Sequence, residues 1–288
     1  MSIERSLVKE IISRALREDV GTGDITTASI VSENYVTIGF IRSKESGVAA
    51  GLEVAGEVFK QLNPEISFQP RVRDGDRVTA GQLLARVEGD ARAILTGERV
   101  ALNFLQRMSG IATRTAHLAG IIAEEKAKLI DTRKTTPGLR LLEKYAVRVG
   151  GGYNHRFGLY DAILIKDNHI KVAGSITEAI SRAKSRAPHI MGVEVEVESL
   201  EGLEEAIRAG ADIVMLDNMD LEAIKKAVSI TSGRVLLEAS GQVHEGTILA
   251  IARTGVDLIS VGGITHSVRS LDISLDVGEM KPIASVIL

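Results

Sequence analysis

From about residue 129 onward one unit recurs: a short apolar run, a polar turn, then a helical pattern. This alternation limits the fold more than any other feature of the chain. The apolar runs are AKLIDT, DAILIKD, MGVEVEVES, DIVMLDN, GRVLLEAS and VDLISVGG. Between them lie SITEAISRAKSRA, SLEGLEEAIRAG, DLEAIKKAVSI and VHEGTILAIARTG. In the first of these helical patterns Ile176, Ala179, Ile180 and Ala183 form an apolar stripe. Ser175 followed by Glu178 reads as a capping box, and Gly210 and Gly255 stand where two later helices should stop. Strand and helix alternating in this way imply parallel βαβ units. Six units fall short of a closed eight-stranded barrel, which usually takes about 250 residues. The repeat therefore predicts an incomplete parallel α/β barrel of six to seven strands, or else an open doubly wound sheet. No G-x-G-x-x-G opens the first unit, which counts against a dinucleotide-binding sheet.

Composition agrees. The chain has 288 residues with only 3% aromatic residues and no Trp, so its core must be built from Ala, Val, Ile and Leu. Such residues suit parallel strands buried on both faces. Cysteine is absent, which excludes a disulfide framework, a thiolate metal site and a thiol nucleophile. A formal net charge of −3 argues against a nucleic-acid binder working through bulk charge. No apolar run approaches the roughly 20 residues of a membrane span. The opening MSIERSLVKEIISRALRED reads as an amphipathic helix without an apolar secretory core. A soluble cytoplasmic protein is expected.

The first hundred residues differ from the repeat. YVTIGFIRSKESGVAAG and SFQPRVRDGDRVTAGQLLARVEGD are strand-like, with turn signals at Asp74-Gly75 and Ala80-Gly81. AILTGERVALNFLQRMSGIATRTAHLAGII is helical. Near the end, Leu271, Ile273 and Leu275 alternate with Asp272, Ser274 and Asp276, the pattern of a strand able to pair back onto the N-terminal sheet. The expected domains are an N-terminal α/β sandwich over 1–106, completed by 268–288, and a barrel over 107–267.

Ligands of parallel α/β folds bind beyond the C-terminal ends of the strands. Read in order, those ends supply Thr132, Arg133 and Lys134; then Lys166, Asp167 and Asn168; then Glu196; then Asp217 and Asn218; then Ser240 and Gly241; and last Gly262, Gly263 and His266. Residues 131–171 hold eight Arg or Lys against four Asp or Glu. Arg140, Lys144 and Arg148 read as a solvated helix face. Arg133, Lys134, Arg156 and Lys166, at strand ends or in the GGGYNHRFGLY loop, read as converging on a polyanion, since Arg grips carboxylate or phosphate bidentately and Lys adds a point charge. The SG and VGG turns suit phosphate, whose oxygens approach bare backbone N–H groups. Glu196 and Asp217 then serve to hold sugar hydroxyls, carry a metal, or stabilise developing positive charge. Together these residues predict a ligand with a sugar, at least one phosphate and further negative charge.

DTRKTTPGLRLLEKYAVRVGGGYNHRFGLYDAILIKDNH resembles the signature of the quinolinate phosphoribosyltransferases. EDVGTGDITT, GERVALNFLQRMSGIAT, EVEVES, VMLDN, EASG and SVGGITHS resemble further blocks of that family, in order and across nearly the whole chain. The resemblance implies an N-terminal α/β sandwich plus an incomplete α/β barrel. It implies conversion of quinolinate and phosphoribosyl pyrophosphate (PRPP) into nicotinate mononucleotide, carbon dioxide and pyrophosphate with Mg²⁺, in NAD biosynthesis. It also implies a homodimer in which Arg99 reaches the partner's site. By the same resemblance Thr132, Arg133, His155, Arg156 and Lys166 form the quinolinate pocket, with Lys134 and Lys166 also holding pyrophosphate and carboxylate groups. Glu196 and Asp217 match the ribose-side and metal-side carboxylates, and Mg²⁺ travels with PRPP near them with no direct protein ligand. Ser240, Gly241, Gln242, Gly262, Gly263 and His266 match the 5′-phosphate cradle. Gln242 stands where the family often has a small residue, and Gly263 where it often has Ala.

Three other readings are open at this point. Lys166 ends AILIK, where Schiff-base lyases on barrels keep their lysine. A family paralogue of molybdenum-transport loci would act on another acid. VRDGDRVTAGQLLARVEGD resembles half of a lipoyl or biotinyl carrier, but the residues after it, ARAILTGER, hold no Lys to modify.

Overall fold

Period-two and period-3.6 patterns alternate along the chain, and most become the element they predict. The computed structural model describes residues 4–282. Residues 1–3 of the expected first helix and 283–288 of the expected closing segment lie outside that range. The first part carries α1 (Arg5–Val20), α2 (Ile25–Ile30), β1 (Tyr35–Ser43), β2 (Gly47–Val48) and α3 (Leu52–Leu62). Then come β3 (Ser67–Pro70), β4 (Arg77–Val78), β5 (Leu83–Asp90) and the long α4 (Ala91–Ile121). The repeat follows as β6 (Lys128–Ile130), α5 (Arg140–Val149), β7 (Ile163–Ile165), α6 (Asp167–Ala173), α7 (Ile176–Arg186) and β8 (Val193–Val197). It continues as α8 (Leu200–Arg208), β9 (Ile213–Asp217), α9 (Leu221–Thr231), β10 (Leu236–Ser240), α10 (Ile248–Ala252), β11 (Leu258–Ser260) and α11 (Gly263–His266). Strands β12 (Ile273–Val277) and β13 (Lys281–Pro282) close the described chain.

By compactness the chain divides into one unit of Met1–Ala116, Thr136–Gly151 and Val268–Leu288, and another of His117–Thr135 and Gly152–Ser267. Helix α4 runs unbroken through residue 106, and α5 falls in the first unit. In that unit an antiparallel sheet has the order β12-β1-β5-β3, with β13 also on β1. The alternation near the end pairs back as its pattern predicts: Ile41 lies opposite Leu275 and Ser43 opposite Ile273. Leu271, Ile273 and Leu275 are buried while Asp272 and Asp276 are exposed. Gly75 and Gly81 adopt positive φ at the two predicted turns. On α5, Arg148 is exposed, but Lys144 is only 2% exposed, so the reading of Lys144 as part of a solvated face is wrong. Its helix buries Leu142, Glu143, Lys144, Ala146 and Val147, a stripe wide enough to take in the lysine stem. Glu143 on the same helix is fully buried and accepts from Arg107 at 2.8 Å and from Thr136 Oγ1 at 2.7 Å.

In the second unit the six strands form one parallel sheet in the order β6-β11-β10-β9-β8-β7. The first strand pairs with the last, as in a barrel, and the edges are β6 and β7. The six-stranded, incomplete alternative is the one realised. Tyr153 adds a single parallel bridge to Ile130 beside the β6 edge. The Ser175 cap forms as expected, but the capping box does not close, because Glu178 accepts from Arg182 Nε instead. Ser175 Oγ accepts from Glu178 N, Ser199 Oγ from Gly202 N, and Asp220 Oδ1 from Ala223 N. Helix α10 is shorter than its pattern suggests, because His244 N–H goes to Thr247 Oγ1 and the chain between them stays a turn. Among the described residues no helix is long and apolar enough to cross a membrane.

One buried acid fixes the segment after the β6 edge. Asp131 is fully buried; its Oδ1 accepts from His155 N at 2.9 Å and its Oδ2 from Asn154 Nδ2 at 2.6 Å. Tyr153 O accepts from Asp131 N at 3.1 Å. Removing the carboxylate takes this acceptor away from both donors. The Asp131→Ala variant should lose about 2–3 kcal/mol of stability in chemical denaturation, and an unchanged midpoint would show that this staple is not structural.

Candidate active site

The C-terminal ends of the barrel strands surround a cavity of about 590 Å³, a size suited to a small ligand. Strand register puts its lining in layers. Glu196 and Glu238 both stand level with Met215, and Ser240 stands level with Asp217. All five of these side chains line the cavity, because alternate residues of a strand share one face.

The early loops bring the cations. Thr132, Arg133 and Lys134 follow β6 and line the cavity. Thr132 Oγ1 accepts from Lys134 N, and Thr265 Oγ1 donates to Lys134 O at 2.7 Å, so both faces of this turn are held. The loop before β7 is pinned by Asp161, whose carboxylate accepts from Phe157 N and Gly158 N. Arg156 Nη1 donates to Ala162 O at 3.0 Å, while its Nε is buried with no hydrogen-bond partner, a donor without an acceptor beside an open pocket. Burial first, then the nearby Arg133 guanidinium, hold Arg156 below the usual arginine range, with Glu194 opposing the shift. An anion bound beside them would offset that repulsion. At the end of β7, Lys166 Nζ donates to Glu196 Oε2 at 2.7 Å and its N–H is taken by His169 Nδ1. An ammonium held by a carboxylate is not the free amine that a Schiff base needs.

The late loops bring small residues and acids. Ser240, Gly241 and Gln242 line the cavity, with Gly241 and Gln242 both at positive φ. Asn218 binds this turn to its neighbour. It has φ 54°, its N–H donates to Ser240 O at 2.9 Å, and its Nδ2 donates to Asp217 Oδ2 at 2.9 Å. A Cβ at residue 241 would collide with Asn218 Oδ1, so glycine is required there. Gly262 is not part of the cavity wall but backs it: a Cβ there would stand 3.0 Å from Lys134 Cδ and 3.1 Å from His266 Nε2. His266 is exposed, with Nδ1 2.6 Å from Ser267 Oγ. A Cβ at residue 263 would meet open space. Arg99 is exposed on α4 and is not among the residues lining this cavity.

Of the residues expected at the site, Thr132, Arg133, Lys134, His155, Arg156, Lys166, Glu196, Asp217, Ser240, Gly241 and Gln242 therefore share one pocket. Sequence reasoning missed Asn218 as the link between two loops, Asp131 as the staple behind His155, and two buried acids, Glu194 and Glu238. Nε2 of His155 lies 3.1 Å from Glu194 Oε2 and 3.8 Å from Glu238 Oε2. The signal for both acids was present: each lies two residues before a predicted site residue, Glu196 or Ser240, and so on the same inward face.

Known proteins share this sequence pattern and fold. The family model of the quinolinate phosphoribosyl transferase C-terminal domain matches residues 111–276, and that of the N-terminal domain matches residues 24–109. The probable nicotinate-nucleotide pyrophosphorylase [carboxylating] of Bacillus subtilis is 47% identical over 270 residues, covering 94% of this chain and 93% of the relative. The nicotinate-nucleotide pyrophosphorylase [carboxylating] of Mycobacterium leprae is 44% identical over 281 residues, covering 95% and 98%. The solved structure of the nicotinate-nucleotide pyrophosphorylase from Francisella tularensis superposes with a TM-score of 0.92 at 46% identity, covering 96% of this chain and 98% of that one. The chain belongs to the quinolinate phosphoribosyl transferase family.

Proposed function

We propose that the chain transfers the phosphoribosyl group of PRPP to quinolinate with loss of one carboxylate, giving nicotinate mononucleotide, carbon dioxide and pyrophosphate for NAD biosynthesis. One observation carries this reading: Arg133, Lys134, Arg156 and Lys166 converge on a single pocket that also holds the Ser240–Gln242 turn and the carboxylates of Glu196 and Asp217. Family membership supports it.

Quinolinate is a dianion, and Arg133 and Arg156, with Thr132 and His155, fix its carboxylates so that the ring nitrogen faces C1 of the ribose. The backbone N–H groups of Ser240, Gly241 and Gln242, backed by Gly262, Gly263 and His266, hold the 5′-phosphate. As pyrophosphate leaves, positive charge grows on the ribose, and Glu196 or Asp217 stabilises it. Lys134 and Lys166 neutralise the departing oxygens. Ribosylation makes the ring nitrogen cationic, and that charge stabilises the electron pair left on the neighbouring carbon when its carboxylate departs. Glu196 and Asp217 are oxygen donors of the kind Mg²⁺ accepts, and Mg²⁺ held mainly by substrate phosphates needs no all-protein cage. When bound it would neutralise pyrophosphate charge, and Glu196 and Asp217 would be the acids beside it. The working form is a cytoplasmic homodimer in which Arg99, exposed on α4, completes the partner's quinolinate site.

Incubation with PRPP, Mg²⁺ and quinolinate should yield carbon dioxide and a mononucleotide, and nicotinate in place of quinolinate should yield neither; the reverse preference would overturn the assignment. Arg133→Ala should cut kcat/KM for quinolinate by the equivalent of about 2–5 kcal/mol, because a carboxylate is left buried without its partner; unchanged kinetics would remove Arg133 from the pocket. Arg99→Ala mixed with a Lys134→Ala chain should regain part of the activity that each lacks alone, since a hybrid dimer holds one intact site. Absence of any recovery after subunit exchange would rule out the shared site.

A further inference from the structure

Beneath the pocket lie two carboxylates and an imidazole, in a layer that barrels of this kind usually fill with Val, Ile or Leu. Glu194 is 6% exposed and Glu238 only 1%. The ligand-type atoms of Glu194, Glu238 and His155 all lie within 4.8 Å of one another. The Oε1 atoms of both glutamates are buried with no hydrogen-bond partner. Of the two, only Glu238 also lines the pocket. The imidazole is oriented from behind: its Nδ1 accepts from Arg156 N at 2.6 Å, which places the ring proton on Nε2, toward the acids.

Two carboxylates this close in a dry interior do not both ionise. Burial first, then the charge of Glu194, push the Glu238 carboxyl up to about 8, with His155 opposing the shift. Glu238 is thus a carboxylic acid at neutral pH, and it becomes a carboxylate as pH rises through that value. The other charged groups around the same cavity are Glu196 from β8, Asp217 from β9, Lys166 after β7, Arg133 and Lys134 after β6, and Arg156 beside His155. From β11 it meets Ser260, which is neutral. Lys166 is committed to Glu196, so Glu238 is the group on the floor with a transferable proton and no competing partner for its Oε1.

The decarboxylating step needs such a proton. When the carboxylate next to the ring nitrogen leaves as carbon dioxide, the C–C bonding pair stays on ring carbon C2. Resting on the functional reading above, we propose that Glu238 is the acid that protonates C2 as carbon dioxide departs, with Glu194 and His155 as positioning residues that keep its proton in place. One C–C bond breaks, one C–H bond forms, Glu238 is left as the carboxylate, and water returns the proton after product leaves. A divalent cation is the competing occupant of the cluster. The guanidinium of Arg156 argues against it, since it already brings positive charge to Glu194.

Glu238→Gln keeps the shape of the side chain and removes its acid. In rapid-quench turnovers with quinolinate, PRPP and Mg²⁺, the full-length E238Q enzyme should bind quinolinate within about threefold of wild type and release carbon dioxide on the order of 100-fold more slowly, accumulating the dicarboxylated mononucleotide. Wild-type carbon dioxide release should fall as pH rises through about 8, and E238Q should lack that limb. Carbon dioxide release by E238Q at the wild-type rate, or an unaltered pH limb, overturns the proposal. A wild-type enzyme that releases no pyrophosphate from PRPP and quinolinate refutes the functional reading instead. Should E238Q fail to fold or to bind quinolinate, Glu194→Gln decides: loss of the neighbouring charge should move the wild-type limb to lower pH, and an unmoved limb contradicts the assignment. Stoichiometric divalent metal in the purified enzyme that is lost in either variant would give the cluster to a cation and also overturn it.

Discussion

The two-residue period of a parallel strand decides what this barrel can hold. Once β8, β9 and β10 pair in register, Glu194 and Glu196, Met215 and Asp217, and Glu238 and Ser240 must point into the same space. An apolar interior would have been the stable solution. Carboxylates buried there are tolerated only where cations or protons balance them, and the loops deliver Arg133, Arg156, His155 and Lys166 to that place. The pocket is therefore a charge-matching problem solved by strand register, with loop conformations adjusted to it. Asp131 shows how tightly that adjustment is made, since one buried carboxylate sets both the His155 backbone and the Asn154 side chain.

The same register explains why ligand charge is needed to finish the site. The Arg133 guanidinium helps to hold Arg156 below the usual arginine range, and among the described residues Arg156 Nε has no acceptor. A dianion brought between them meets donors already fixed by Asp131, Asp161 and the Ala162 carbonyl, so little ordering remains for binding to accomplish. At the end of β10 the strained φ of Asn218 and Gln242 holds a turn that only glycine can complete at residue 241. Strain of this kind persists where surrounding contacts over-determine it, here the bonds from Asn218 to Ser240 and Asp217.

Much of this was legible before any coordinates. Alternating apolar runs gave the six strands, and their polar ends gave the cations, the two outer acids and the glycine turns. What escaped was inward rather than upward. Glu194 and Glu238 sit inside apolar-looking strings, EVEVES and LLEAS, where a single chain reads them as salt-bridge or solvent residues; only pairing shows that they share a face with Glu196 and Ser240. Lys144 failed for the reverse reason, because a lysine at helical spacing reads as solvated until packing buries its stem. Asp131 and Asn218 escaped because their partners, His155 and Ser240, are distant in sequence and meet them with a backbone group, which no side-chain pattern reveals. The break between β6 and β7 was equally hidden, since hydrophobic periodicity counts strands without saying which pair stays unbonded.

A crystal structure with quinolinate bound is the most direct measurement of the central claim, that buried acids and loop cations form one pocket for a dianion. The account predicts density for the ring inside the strand ends, one carboxylate against Arg133, the other against Arg156, and the carbon beside the nitrogen turned toward Glu238. Density for the ring outside this pocket, or within it but with neither carboxylate on a guanidinium, would contradict the account.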